Sequence, residues 1–263
     1  GAKPPDFAHL PMMLAPNGEK LSKRHGAVSV GEYRDQGYLP DAVLNYLVRF
    51  GWSHGDQEVF SKQELVNAFN WEACGRGDGK FDAKKFLAIQ QAHMKDNDQS
   101  GELLTSDANY TQLAKEFLGE KGIFNIDSTK LERALRHGVR ARARTFVEAA
   151  QMLDYLFREP PELEEAAKKV LVPEAAPRIR MLLDGANAID SASWNLDALK
   201  KINDACVAAE KEKGFKDIMQ PMRVALAGRT ATIGLAEIMD VIGRDVSIAR
   251  LERAITVAEG RAT

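Results

Sequence analysis

The sequence has few cysteines and no pair of histidines at a metal-binding spacing. Among its 263 residues are two cysteines, Cys74 and Cys206, which lie far apart and outside any Cys-x-x-Cys pair. Five histidines are scattered along the chain, and no two of them have the spacing of metal ligands on one helix. The sequence therefore supports neither a disulfide framework nor a metal site, and we expect no metal in this chain.

Membrane and secretion signals are also missing. No apolar stretch approaches the roughly 20 residues that a membrane helix needs, and the N-terminal residues lack the apolar core of a signal peptide. With 44% hydrophobic and 28% charged residues, the composition is typical of a soluble globular protein. We expect no membrane partner and a cytoplasmic location.

A large net charge is absent too. The formal net charge of −2 does not indicate a nucleic-acid-binding protein. The charge is unevenly placed, however: five arginines and no acid lie between Arg133 and Arg144, and the balance turns acidic from Asp154 to Glu165. Any inference about partners therefore rests on local patches.

Strand patterns are scarce. Residues 7–14 are the only plausible strand, and the turn dipeptide Asn17-Gly18 follows them. The rest of the pattern is helical, with capping boxes at Ser29–Glu32 and Ser61–Glu64, Pro40 in a first helical turn and Ser128 as an N-cap. The sequence predicts a mainly α fold behind a small strand-and-loop head.

The densest chemical signal is the basic loop from Glu19 to Gly26. Its two lysines, Lys20 and Lys23, are three residues apart among small and flexible neighbours. Two ammonium groups at this spacing can surround a polyphosphate and follow its charge as a reaction proceeds. A solvated basic loop is the alternative interpretation.

This loop carries a resemblance to a known family. Lys20-Leu-Ser-Lys-Arg24 resembles the Lys-Met-Ser-Lys-Ser signature of class I aminoacyl-tRNA synthetases. The similarity continues through residues 28–47 and Gly51-Trp-Ser-His-Gly-Asp56, a run that looks like bacterial glutamyl-tRNA synthetases. It returns at residues 220–228 and 242–245, so the resemblance covers essentially the whole chain.

The resemblance implies a function for the whole enzyme. It would attach L-glutamate to tRNA-Glu through glutamyl-adenylate, with ATP and Mg²⁺, and we expect a monomer. By position, Lys23 is the second signature lysine, expected to bind ATP and to stabilise the transition-state phosphates. Lys20 is the first and supports the loop or the phosphates. Because the family's His-Ile-Gly-His-like signature is missing from the sequence, we expect a piece truncated within the catalytic domain and inactive by itself.

The resemblance also implies an all-α anticodon-binding cage. Aligning residues 145–157 without gaps puts Arg142 at the position that reads the third anticodon base and helps to separate tRNA-Glu from tRNA-Gln; the neighbouring arginines are alternatives two residues away. Arg223 matches the contact to the first base. Thr232 and Leu235 belong to the segment that holds the middle base, whereas Ala236 replaces a frequent aromatic residue and offers no ring for stacking.

The same residues permit simpler interpretations. The arginine-rich segment could be a solvated face, or could pair with the acidic segment at 154–165. Lys80, Lys84 and Lys85 could meet the inner side of a tRNA or simply face water. The three tryptophans are expected to pack in cores: Trp52, Trp71 and Trp194.

The resemblance suggests three parts. Residues 1–104 would hold the signature loop and a helical region that contacts the tRNA stem. Residues 105–168 and 169–263 would form two anticodon-binding subdomains. The glutaminyl enzyme is a poorer match, because its anticodon module is a β-barrel. The alternative of another class is a non-catalytic RNA-binding or scaffolding helical module.

Overall fold

A computed structural model describes residues 2–5, 7, 9–22, 24, 29–158, 163–210 and 214–260 of the chain. The chain forms two compact units: unit 1 comprises Gly1–Leu113 with Ala143–Ala149, and unit 2 comprises Ala114–Arg142 with Ala150–Thr263. The described residues are mainly helical, so the predicted fold class is confirmed. The predicted three-part division remains a prediction.

Unit 1 begins with a very short parallel pairing. Strand β1 (Met13–Leu14) pairs with β2 (Gly79–Lys80), with Met13 opposite Gly79 and Leu14 opposite Lys80. The strand expected over residues 7–14 is therefore wrong for most of its length. Pro11 has no N–H for a ladder, and β2 offers only two residues as partners. The sequence did not predict β2, because two residues cannot display an alternating pattern.

Helices make up most of unit 1. They are α1 (Val30–Asp35), α2 (Pro40–Val48), α3 (Lys62–Ala68), α4 (Ala83–Lys95) and the first half of α5 (Asp107–Glu120). The capping boxes at Ser29 and Ser61 are confirmed, as is Pro40 at the first position of α2. Trp52 is buried as expected, but Trp71 is 62% exposed, so the expectation of a packing role was wrong there.

The core of unit 1 joins rings to a buried polar network. Tyr46 stacks on Phe86 with ring centroids 4.3 Å apart. Beside this pair, the fully buried Asn45 accepts a hydrogen bond from Phe60 N at 2.9 Å, and its Oδ1 lies 3.0 Å from His93 Nε2. Since Asn45 Oδ1 is an acceptor, Nε2 of His93 carries a proton, and the lowered pKa of this side chain keeps the ring neutral at pH 7. Burial lowers the pKa of His93 to about 4.

Gly37 is needed where the loop after α1 meets residues 146–147. Its φ is +80°, and a Cβ there would lie 2.6 Å from Val147 N and 2.7 Å from Phe146 N. Its carbonyl accepts a hydrogen bond from Phe146 N at 3.0 Å. Both the left-handed backbone and the close approach exclude a side chain.

Unit 2 is an array of packed helices. After the second half of α5 come α6 (Ser128–Ala134), the short α7 (Arg140–Arg142), α8 (Phe146–Phe157), whose last eight residues lie in this unit, and α9 (Glu165–Lys168). A 3-10 turn (Pro173–Ala175) leads to α10 (Ala176–Asn187), α11 (Leu196–Ala209), α12 (Phe215–Ala227), α13 (Leu235–Ile242) and α14 (Arg244–Ala258). Helix α14 packs on α10 and α12, and α11 packs on α13.

Two local features of unit 2 differ from or refine the sequence expectation. Asp127, not Ser128, caps α6, because its carboxylate accepts the N–H of Lys130 at 2.9 Å. Helix α6 is separated from α7 by a kink at Gly138, where φ is +90°. Trp194 is partly buried and donates to Met239 O at 3.3 Å, in agreement with a packing role.

Candidate nucleic-acid interface

The loop between α12 and α13 is fixed to α8 by Tyr155. The Tyr155 side chain is fully buried, and its hydroxyl accepts a hydrogen bond from Ile233 N at 3.3 Å. Burial raises the pKa of Tyr155 to about 12, although the nearby cations Arg229 and Arg142 act in the opposite direction. Tyr155 is therefore a neutral phenol that holds the loop in one position.

Arg229 is the structural cation of this loop. Its guanidinium lies 5.2 Å from the centre of the Tyr155 ring, and its Nη2 lies 3.1 Å from the Asp154 carboxylate. Nη1 donates to Gln151 O at 2.9 Å. The Asp154 carboxylate, in a residue only 4% exposed, also faces Arg158 and Lys121, and Glu164 Oε1 lies 3.7 Å from Arg229 Nε. Because its nitrogens are held by these groups, Arg229 positions the loop.

The arginine-rich segment contains both paired and unpaired side chains. Three of its arginines have carboxylate partners: Arg133 with Asp240, Arg136 with Glu132, and Arg144 with Glu148. None of these three partners belongs to the acidic segment at 154–165, so the alternative of pairing with that segment was wrong for them. Arg142 differs. It is exposed, its Nε donates to Gly138 O at 3.1 Å, and it makes no ion pair with any residue that the structure describes. Its charge is available to an anionic partner.

Arg223 lies on the face of α12 that adjoins the same loop. One turn before it, Gln220 Nε2 donates to Thr230 O at 3.2 Å, and residues three apart share a helix face. The Nε of Arg223 is buried, and no atom in the described part of the chain forms a hydrogen bond with it. A buried donor in this condition costs roughly 1–3 kcal/mol, so this nitrogen would gain from an acceptor brought by a ligand.

The other two predicted anticodon residues lie at the end of the loop. Thr232 is half-buried, and its hydroxyl donates to Ile233 O at 2.8 Å. Leu235 begins α13 and is only 2% exposed, so it is mainly a core residue here. The structure thus brings Thr232 next to Ile233, which Tyr155 binds, with Arg142 near enough to act on the charge of the phenol and Arg223 on the adjoining helix face.

Tyr155 itself was not predicted as a site residue. Tyr155 is not one of the regularly spaced apolar residues of α8; it stands among apolar neighbours such as Leu153 and Phe157, which indicate at most that it is buried. The sequence does not indicate that the Tyr155 hydroxyl accepts a hydrogen bond from a loop backbone 78 residues further along the chain.

The signature loop is partly described. The backbone turns at Ala15–Glu19, with Ala15 N donating to Glu19 O at 2.7 Å, and Lys20 pairs with Leu14 next to β1. The Lys20 side chain is exposed. Lys23, the second candidate catalytic residue, lies outside the described residues.

The part of the chain that the structure describes contains neither a candidate metal site nor a candidate membrane span. No group of three or more His, Cys, Asp or Glu side chains in this part of the chain could hold a metal ion. No helix in the same part is long and apolar enough to cross a membrane.

Two family descriptions match the chain. Residues 109–255 match "Anticodon binding domain", which is more than half of the chain. Residues 1–88 match "tRNA synthetases class I (E and Q), catalytic domain". The helical array and its RNA-reading candidates thus fall within the first match, and Lys20 falls within the second. The first description places most of the helical array in an anticodon-binding domain, and the second places the N-terminal part of the chain in the catalytic domain of class I tRNA synthetases.

The individual relatives that the chain resembles are glutamate–tRNA ligases. The chain is 39% identical over 262 residues to glutamate–tRNA ligase 1 of Alkalilimnicola ehrlichii, covering 97% of this chain and 52% of that protein. It is 40% identical over 265 residues to glutamate–tRNA ligase of Syntrophobacter fumaroxidans, covering 54% of that protein. A solved glutamate tRNA ligase of Elizabethkingia meningosepticum, in complex with its amino acid, superposes with a TM-score of 0.77 at 25% identity, over 97% of this chain and 52% of that chain.

The chain belongs to the family described as "Anticodon binding domain", and the relatives reported above are glutamate–tRNA ligases. It spans about half the length of the curated relatives it matches. The resemblance that begins at Lys20-Leu-Ser-Lys-Arg24 is thereby confirmed.

Proposed function

We propose that this chain reads the anticodon of tRNA-Glu and supplies the signature loop to a glutamate–tRNA ligase. One arrangement carries the proposal. The loop before α13 is held by Tyr155, with Arg142 beside the phenol and without an acidic partner among the described residues. Proteins read RNA sequence on unpaired bases, using donors from arginine and from ordered loops, and this arrangement offers both.

The proposal gives each residue a role. Arg142 reads the third anticodon base and Arg223 the first. Thr232 contacts the middle base, and Leu235 supports that contact by anchoring the start of α13, since it has little exposed surface of its own. An arginine fork suits a base edge that offers two acceptors.

The catalytic contribution is proposed for the whole enzyme. L-Glutamate, ATP and Mg²⁺ are its substrates and metal, and ATP supplies the energy for attaching glutamate to tRNA. Lys20 and Lys23 are proposed to contact the ATP phosphates. The exposed Lys20, held by strand pairing beside β1, is compatible with this role. A cytoplasmic, monomeric enzyme stays a prediction.

A titration tests the proposal. The chain is titrated with a tRNA-Glu transcript and with an anticodon-swapped transcript, each at two salt concentrations. We expect salt-sensitive binding, as for any phosphate-contacting protein, and weaker binding of the swapped transcript. Arg223→Gln should reduce the difference between the transcripts. Binding that depends on salt but ignores the anticodon would leave only a basic surface and would remove the assigned base contacts.

A further inference from the structure

A polar cavity lies in unit 1, within the segment matched to the catalytic domain. It has a volume of about 160 Å³, is open to solvent on one side, and is lined by the end of α2, by β2 and by the start of α4. That is about five times the ~30 Å³ that one water occupies in the liquid, so the cavity has room for a small polyatomic group. Arg49, Lys80 and Lys85 supply its cations.

Arg49 has two buried donors without acceptors. Both Nε and Nη1 are buried and have no hydrogen-bond partner among the residues that the structure describes. Arg49 is the C-cap residue of α2, where an arginine could be explained by bonds to the last carbonyls of the helix. Neither nitrogen makes such a bond. Nitrogens in this condition are stabilised by an acceptor, and most strongly by a charged one.

The other polar groups of the cavity do not supply acceptors for the Arg49 nitrogens. The Asp82 carboxylate accepts hydrogen bonds from Lys84 N and Lys85 N as the cap of α4. The hydroxyl of Tyr46 accepts from Asp82 N at 2.8 Å and lies 3.1 Å from Asp82 O, to which it donates. Both groups are engaged with the backbone, and neither compensates Arg49.

The charge balance of the cavity is positive. Lys85 pairs with Glu58, whereas the exposed Lys80 makes no ion pair within the described residues. Lys80 also has a neighbour of the same charge. Lys80 and Lys20 both pair with Leu14, from opposite sides of β1, and directly paired residues share a sheet face, so these lysines project together about 10 Å apart.

We propose that this cavity binds a phosphate group, with the guanidinium of Arg49 as its principal ligand and Lys80 at its rim. A tetrahedral anion offers several acceptors to the Arg49 donors at once, and a planar guanidinium matches such oxygens. The phosphate belongs either to a nucleotide or to an RNA backbone. The assignment of the cavity does not depend on anticodon reading.

Thermal unfolding in potassium phosphate and in potassium chloride of equal ionic strength tests the site. Phosphate also stabilises proteins by exclusion from their surface, so the variant Arg49→Met is compared with Arg34→Met. Arg34 is an exposed arginine of the same unit and is paired with Asp35, and both changes remove one positive charge. We expect Arg34→Met to keep the phosphate-dependent rise in Tm of the wild type, and Arg49→Met to bind phosphate about 10- to 100-fold more weakly.

Two further arms identify the source of the phosphate. If it belongs to an RNA backbone, Arg49→Met weakens the binding of a tRNA-Glu transcript and of its anticodon-swapped form equally. The slope of log binding constant against log salt concentration then falls by about one. If it belongs to a nucleotide, the same variant weakens the binding of ATP. Equal phosphate responses of Arg49→Met and Arg34→Met would overturn the proposal. If Arg49→Met fails to fold, Lys80→Met is used instead, because it changes an exposed side chain. A phosphate-dependent rise in Tm equal to that of the wild type would then overturn the proposed site.

Discussion

The hydroxyl of Tyr155 accepts the backbone N–H of Ile233 over 3.3 Å and so ties α8 to the loop before α13. Both partners are buried, with Ile233 only 1% exposed. The bond therefore satisfies a donor that water does not reach. The bond also fixes the backbone at Thr232, the residue before Ile233. Arg142 is near enough to Tyr155 to affect the charge of its phenol.

Tyr155→Phe removes the hydroxyl that accepts this hydrogen bond and keeps the aromatic ring. We expect a loss of about 1–3 kcal/mol in the free energy of unfolding, because the Ile233 N–H stays buried without a partner. Urea unfolding measures the loss. Tyr38→Phe is the control, since the Tyr38 hydroxyl makes no hydrogen bond with the described residues. Equal losses in the two variants would show that the Ile233 bond contributes nothing specific.

Arg142→Gln tests base discrimination. The variant should narrow the difference in binding free energy between tRNA-Glu and tRNA-Gln by about 1–3 kcal/mol, the usual contribution of a bidentate base contact. Arg136→Gln is the control, because Arg136 is paired with Glu132 on the surface. An unchanged ratio for Arg142→Gln would remove Arg142 from the anticodon site and turn attention to Arg140 and Arg144.

Unit 1 should lose stability as the pH falls below 6.5. The pKa of His93 is lowered from 6.5 to about 4 in the folded chain by burial, and protonation of Nδ1, which has no partner, would bury an N–H without an acceptor. Between pH 6.5 and 4 the unfolded chain binds the proton more readily. The stability contributed by neutral His93 is thus complete above pH 6.5 and falls as the pH approaches 4.

Urea unfolding at pH 7 and pH 5 measures the effect of His93. The stability advantage of wild type over His93→Gln should shrink by about 2 kcal/mol between these values. His9→Gln is the control, because His9 is exposed. The same change in His9→Gln and His93→Gln would contradict the assignment to the buried imidazole.

Two glycines with similar backbone conformations should respond differently to alanine. Gly18 (φ +86°) has no atom within 4 Å of a built Cβ, whereas Gly37 (φ +80°) has two backbone nitrogens within 2.7 Å. Gly18→Ala should cost about 1–2 kcal/mol, from the left-handed backbone alone. Gly37→Ala adds an overpacking cost of about 1–3 kcal/mol. Thermal unfolding of both variants gives the comparison, and equal costs would contradict the close approach at residues 146–147.

Much of the architecture follows from local chemistry in the sequence. The capping boxes at Ser29 and Ser61 satisfy backbone donors within three residues, and Pro40 suits the first turn of a helix because its missing N–H would be unpaired there. Such signals act between near neighbours. The family could also be predicted, because a run of residues beginning at Lys20 carries its pattern without any reference to the fold.

The sequence by itself determined the helices, the turn at Asn17-Gly18, and the family. Only the tertiary structure decided which charged side chains have an ion-pair partner and which can still bind a ligand. Arg133 and Arg142 look alike in the sequence, but an aspartate 107 residues away neutralises the first and not the second. The pairing of β1 with β2, the hydroxyl of Tyr155 under the loop and the unpartnered nitrogens of Arg49 are likewise results of long-range packing. Contacts between distant residues leave no periodic pattern, and so they were settled only when the chain folded.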